Sequence, residues 1–221
     1  MKVVAVIPAY NEAQTIGEVI DCTRAFVDEI IVVDDGCADR TAEIALSRGA
    51  IVARHVINRG LGAAIGTGLA AGLKRGADVL LTLDADGQHD PSEIPGFVKA
   101  IEDGADMVIG SRLLTRVGMP AHRQLFNWIG NFVTFALFGK WVTDSQSGFR
   151  AFTREAAKRI DIRTNRMEVS SELIAEAHRN QFRLAEIPIK AIYTDYSLSK
   201  GQNFFVGIKT LLKLVVRRIS G

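Results

Sequence analysis

The 221-residue sequence predicts an α/β fold: a Rossmann-like, mostly parallel sheet flanked by helices. Three observations predict it. Four apolar runs in the first half, Val3–Ile7, Glu29–Val33, Val79–Leu83 and Met107–Ile109, are short and rich in β-branched residues. The segments between them carry helical periodicity, and alternation of strand with helix demands crossover connections and hence parallel pairing. Polar clusters also stand at the carboxyl ends of the runs, where open α/β sheets hold their ligands.

Met1–Pro8 has one basic residue and a short apolar run with no small-residue cleavage pattern, so it is expected as a first strand rather than a signal peptide. Thr15–Arg24, Arg40–Ser47, Gly62–Lys74 and Pro91–Ile101 follow as helices, with Ile51–Ala53 as a further short strand. Asp39 and Ser92 stand where two of these helices need caps. From about Thr115 the character changes. In Arg123–Gly139 the aromatics Phe126, Trp128, Phe132, Phe135 and Phe138 oppose a polar stripe of Asn127, Asn131 and Thr134, the pattern of an amphipathic helix. Phe204–Ile219 repeats the design, with Lys209, Lys213 and Arg217 spaced by four against an apolar face. Such a basic helix either lies among anionic lipid headgroups or packs on the core or another subunit. The expected organisation is one domain over 1–203, including the amphipathic helix at about 123–139, then a basic amphipathic helix at 204–221.

A net charge of +2 is too small to suggest nucleic acid as the main partner, although the C-terminal end is locally basic at Lys209, Lys213, Arg217 and Arg218. Cys22 and Cys37 form neither a metal-ligand spacing nor a disulfide framework, which fits a reducing compartment, and both are expected as small buried residues. No stretch reaches the roughly eighteen uninterrupted apolar residues of a membrane-spanning helix.

Four strand ends carry the chemistry: Pro8-Ala9-Tyr10-Asn11-Glu12, Asp34-Asp35-Gly36, Asp84-Ala85-Asp86 and Gly110-Ser111-Arg112. An Asp-x-Asp at the mouth of a buried strand suits a divalent metal, since Mg²⁺ or Mn²⁺ takes few protein oxygens and fills its shell from phosphate and water. Gly87 lets the backbone turn there. His89 follows closely, and a lone histidine in such a place is expected to be structural rather than a ligand.

With Ser147-Gly148-Phe149-Arg150 and Asn58-Arg59-Gly60-Leu61-Gly62-Ala63-Ala64 added, these motifs stand in one order along nearly the whole chain. The sequence resembles the inverting family 2 glycosyltransferases of GT-A fold, and among them the polyprenol-phosphate (dolichol-phosphate) mannose or glucose synthases. The resemblance implies that Pro8, Tyr10 and Glu12 wall the base and ribose of a GDP- or UDP-hexose, with Asp34 or Asp35 accepting from it. It implies that Asp84, Asp86 and Gln88 meet the metal, Asp86 and Gln88 most directly. Arg112 and Arg123 would face acceptor phosphate, donor diphosphate or both, since a guanidinium offers paired donors suited to phosphate oxygens. Arg150 either joins them or ties down its own loop.

The acceptor decides the mechanism. A polyprenyl phosphate is already anionic and needs only alignment, whereas a sugar hydroxyl needs a general base. Asp144 is the candidate base for the second case and orders the acceptor loop in the first. Two departures from the family pattern matter. Cys37 and Ala38 replace hydroxyl residues, and Tyr196 stands near the position of an arginine in the Tyr193–Gln202 loop, where Lys200 is expected to reach a phosphate on closure. The expectation is therefore a peripheral enzyme of the cytoplasmic membrane face. Open alternatives are transfer to a hydroxyl acceptor and a nucleotide-sugar-binding subunit that recruits a membrane-spanning partner.

Overall fold

The chain is described by a computed structural model at residues 1–114, 131, 132, 135, 141–190 and 192. Its first strand, β1 (Val3–Ala9), shows why the apolar runs are continuous rather than alternating. Val4 and Val6 enter one core layer, Val3, Ala5, Ile7 and Ala9 the other, so both faces are covered. β2 (Glu29–Asp34) and β4 (Val79–Thr82) flank it in parallel, and β3 (Ile51–Arg54) pairs parallel with β2. β5 (Met107–Ser111) completes the expected strands.

The intervening helices are α1 (Ile16–Thr23), α2 (Thr41–Ser47), α3 (Leu61–Lys74) and α4 (Ile94–Glu102). One layer holds Ile16, Ile20, Ile94 and Phe97 of α1 and α4, and the other holds Ile65 and Leu69 of α3. Two local expectations need correction. Cys22 is exposed, because α1 turns Ile16, Gly17, Val19, Ile20 and Thr23 inward and position 22 falls off that face. Ser92 is not a cap. Asp90 is, accepting from the Ser92 N–H at 3.0 Å to start the short turn Pro91–Glu93 ahead of α4. Asp39 does serve α2, accepting from the Thr41 N–H at 3.0 Å.

Elements that the sequence did not predict complete the sheet. β6 (Arg150–Thr153) and β7 (Leu184–Pro188) give the order β3-β2-β1-β4-β6-β5-β7, while α5 (Arg154–Arg159) and α6 (Val169–Arg179) add to the layer under Phe152. β6 is short and opens on an arginine, so neither apolar run nor alternation marks it. It runs antiparallel between β4 and β5, placing Arg150 beside both Thr82 and Ile109. That reversal matters for the site, because the loop entering β6 lies at the carboxyl ends of β4 and β5. No helix among the described residues is long and apolar enough to cross a membrane.

α3 approaches the sheet through glycine. A Cβ at Gly68 would sit 2.1 Å from Val6 Cγ1, whereas one at Gly66 would meet nothing nearer than Ile162 Cδ1 at 4.0 Å. Gly68→Ala is therefore expected to lower stability by about 1–3 kcal/mol through overpacking. Gly66→Ala is expected to raise it by about 0.5–1 kcal/mol by removing backbone freedom from the unfolded helix. Urea unfolding of the two variants checks the opposite signs.

Candidate active site

The turn after β1 is built against the turn after β2. Asn11 adopts a positive φ of 56°, which asparagine tolerates better than most residues. Its N–H meets Cys37 Sγ at 3.2 Å and its side-chain oxygen accepts from Ala38 N–H at 2.9 Å. Glu12 N–H donates to Thr41 Oγ1 at 2.8 Å. Tyr10 is thereby left 49% exposed at the strand end rather than filling the core. Cys37, in a family hydroxyl position, is buried, and burial together with its bond to Asp34 pushes the thiol up to about 11. It acts as a packing residue that donates to Ala9 O at 3.4 Å.

Asp34 and Asp35 are largely spent inside the protein. Asp34 is fully buried, accepts from Cys37 N–H at 2.7 Å, and has Arg54 Nε 2.9 Å from its other oxygen. Asp35 accepts from Arg59 N–H at 2.9 Å and Gly60 N–H at 2.7 Å, and meets His55 Nδ1 at 2.7 Å. His55 Nε2 continues to Thr67 Oγ1 at 2.9 Å. Asp35 organises the Asn58–Gly60 turn while Asp34 braces the Cys37 turn and Arg54, uses their side-by-side placement in sequence did not reveal.

At the end of β4, Asp84 and Asp86 share a loop that folds back on itself around Gly87, whose φ of 77° suits glycine. Asp86 accepts from Gln88 N–H at 3.1 Å and Gln88 Nε2 at 2.6 Å. Asp84 pairs with His89 at 3.0 Å. Burial raises the Asp86 carboxyl, and the charge of Asp84, with that of Glu12, raises it further. For Asp84 burial pushes upward, but the His89 hydrogen bond and the charges of His89, Arg112 and Arg150 outweigh it, and the group is held below the usual carboxylate range. The charge of Asp84 thus disfavours the Asp86 anion, and a cation between them would relieve that repulsion. The donor set, carboxylate and amide oxygen, fits Mg²⁺ or Mn²⁺. Among the described residues no group of three or more His, Cys, Asp or Glu side chains is placed to hold a metal, so such an ion would draw most of its shell from elsewhere.

At the end of β5, Arg112 is clamped by Asp144. Its Nε and a terminal nitrogen reach the two carboxylate oxygens at 2.7 and 2.8 Å, and its backbone N–H adds a third bond at 3.1 Å. The carboxylate is fully buried and the guanidinium 18% exposed. Asp144 is thus buried with both of its carboxylate oxygens held by Arg112. Arg150 ties down its own loop. It is buried, donates to the carbonyls of Ser147, Ser145 and Ser170 at 2.9, 2.8 and 3.0 Å, and burial pulls its pKa down to about 10 against the opposing pull of Asp144 and Asp84.

The loop that Arg150 holds reaches both halves of the site. Gly148 O accepts from Thr82 Oγ1 at 2.8 Å, and a Cβ on Gly148 would lie 2.3 Å from Asp84 Oδ1. Asn131 is buried, its side chain donating to Thr143 O and accepting from Ser145 N–H at 2.8 Å, while Phe132 and Phe135 are exposed. The polar stripe foreseen in this segment therefore points into the protein at Asn131. Thr143 is fixed further by Glu186 of β7, which accepts from its N–H and hydroxyl at 2.7 Å each. Glu186 carried no signal in the sequence. Arg123, Tyr196 and Lys200, and the helix expected at 204–221, lie outside the described residues.

Comparison with known proteins agrees with this arrangement. A model of glycosyl transferase family 2 matches residues 4–161. The UDP-N-acetylglucosamine–dolichyl-phosphate N-acetylglucosaminyltransferase of Methanococcus voltae is 36% identical, covering 97% of this chain and 95% of its own length. The undecaprenyl-phosphate mannosyltransferase of Micrococcus luteus is 33% identical, covering 94% of this chain and 90% of its own. Among solved structures, glucosyl-3-phosphoglycerate synthase from Mycobacterium tuberculosis, in complex with Mn²⁺, uridine diphosphate and phosphoglyceric acid, superposes with a TM-score of 0.77 at 22% identity, over 98% of this chain and 78% of that one. That likeness concerns the fold. The family model and the relatives aligned nearly end to end carry the assignment: the chain belongs to glycosyltransferase family 2 and is a glycosyltransferase of GT-A fold.

Proposed function

We propose that the enzyme transfers a hexose, mannose or glucose by sequence resemblance, from a GDP- or UDP-sugar to a polyprenyl phosphate at the cytoplasmic face of a membrane. The observation that carries this reading is the Arg112–Asp144 clamp. The residue singled out as a base is locked in an ion pair, while a guanidinium is held rigidly at the same sheet edge as Asp84 and Asp86. An acceptor phosphate already bears the charge needed to attack. Its oxygen bonds to the anomeric carbon as the bond to the nucleoside diphosphate breaks, and in-line geometry inverts that carbon without a base. Relatives that act on polyprenyl phosphates support the same acceptor.

In this reading Pro8, Tyr10 and Glu12 wall the nucleotide, with Asp34 and Asp35 shaping the pocket from below. Asp84, Asp86 and Gln88 would hold Mg²⁺ or Mn²⁺, which would supply stabilisation of the charge growing on the leaving diphosphate. Arg112, with Arg123, aligns phosphate, and Lys200 reaches it on loop closure. Exposed Phe132, Phe135 and Trp141, the last two edge to face at 5.6 Å, support contact with a membrane surface, because aromatic rings favour the lipid interface.

The test is transfer to a polyprenyl phosphate from radiolabelled GDP-mannose, UDP-glucose and UDP-N-acetylglucosamine, with Mn²⁺, Mg²⁺ or a chelator. Lipid-linked product from one donor, lost on chelation and inverted at the anomeric carbon, is expected. Absence of lipid product from every donor, or a hydroxyl compound serving equally well, overturns it.

A further inference from the structure

His89 is set deeper than the carboxylate it touches. Its side chain is 3% exposed, against 40% for Asp84, and Nε2 stands 3.0 Å from Asp84 Oδ2. The ring packs on Phe149 at 5.1 Å, and Phe149 packs on Phe97 at 4.2 Å, both phenylalanines being fully buried. Rotation of the imidazole is therefore blocked by core. On the other side of Asp84, Gly148 approaches Oδ1 so closely that even a methyl group would collide with it. The carboxylate is held between a fixed donor and a backbone wall, and part of it stays open to solvent.

The second ring nitrogen sharpens the point. His89 Nδ1 is buried and meets no hydrogen-bond partner among the described residues. A residue present only to fill this space would be a phenylalanine or leucine, with no orphaned polar atom. Keeping an imidazole there makes sense if the single bond from Nε2 to Asp84 is what the position requires.

We propose that His89 is a positioning residue, which fixes Oδ2 of Asp84 so that the carboxylate presents a set orientation to the divalent cation. This rests on the metal reading of Asp84 and Asp86 given above. Outer partners of metal-binding carboxylates typically govern affinity by 10–100-fold. The Asp84–His89 and Asp86–Gln88 pairs then act as two nested braces across the Gly87 turn.

The test measures Mn²⁺ binding by electron paramagnetic resonance with UDP and, separately, GDP present, for wild type, His89→Phe and His89→Gln. Phenylalanine keeps the packing against Phe149 and removes the donor, while glutamine keeps an N–H near the Nε2 position. The expected result is Mn²⁺ affinity about 10–100-fold weaker in His89→Phe, most of it restored in His89→Gln. Metal-free nucleotide affinity and Tm should match wild type, and the Mn²⁺ requirement for transfer should shift by the same factor. Wild-type Mn²⁺ affinity in His89→Phe overturns the inference alone, as does equal loss in His89→Gln or a fall in Tm that accounts for the loss. Absence of Mn²⁺ binding by the wild-type protein with either nucleotide overturns the metal reading and this inference with it.

Discussion

Asp86→Ala is expected to reduce sugar transfer by about 10³-fold or more, the scale on which preorganised charge stabilisation acts in transition states. The fold should remain intact. Asp86 is only partly buried, it accepts hydrogen bonds from Gln88 within the same turn, and its carboxyl is raised by burial and by the neighbouring charge of Asp84. Removing it relieves repulsion, so Tm should hold or rise slightly while Mn²⁺-dependent nucleotide binding falls. Circular dichroism, a thermal melt and an initial-rate assay measure the separation. Activity within tenfold of wild type would contradict a metal role for this carboxylate.

Arg112→Met should be harmful in a different way. It strands the buried carboxylate of Asp144, which among the described residues keeps only the backbone N–H donor at position 112. Breaking one side of such a pair typically removes about 3–5 kcal/mol of stability. The double variant Arg112→Met, Asp144→Leu replaces the pair by apolar groups, and most of the lost stability should return, because the stranded charge is gone. Transfer should not return, since the guanidinium at the end of β5 is gone and Arg123 alone does not align phosphate. Denaturant unfolding and transfer assays on the single and double variants distinguish the roles. Recovery of both stability and activity would show that Arg112 only braces Asp144.

The strand ends were legible because their chemistry is local. Tyr10, Glu12, Asp84, Asp86 and Arg112 each follow an apolar run, and a parallel sheet carries all such ends to one edge. Asp144 and Arg150 were visible as charges but not as partners. Arg112 and Asp144 lie 32 residues apart, and their pairing arises because β6 inserts antiparallel between β4 and β5. Nor does a strand beginning with arginine announce itself by periodicity. Its buried guanidinium is tolerable only because Ser145, Ser147 and Ser170 turn their carbonyls toward it. Asn131 misled for a related reason. Spacing defines a polar stripe, but only the neighbouring 143–145 loop decides whether that stripe meets water or protein.

Sequence by itself thus determined the parallel half of the sheet, the residues at its carboxyl edge and the family, because hydrophobic period and motif order are properties of the chain read locally. Tertiary structure alone decided that Asp144 is clamped to Arg112, that Arg150 anchors the loop between the two halves of the site, and that His89 sits behind Asp84. Each depends on burial and on charges brought together from distant segments, and the price of an unpaired buried charge or donor is set by the neighbours that folding supplies.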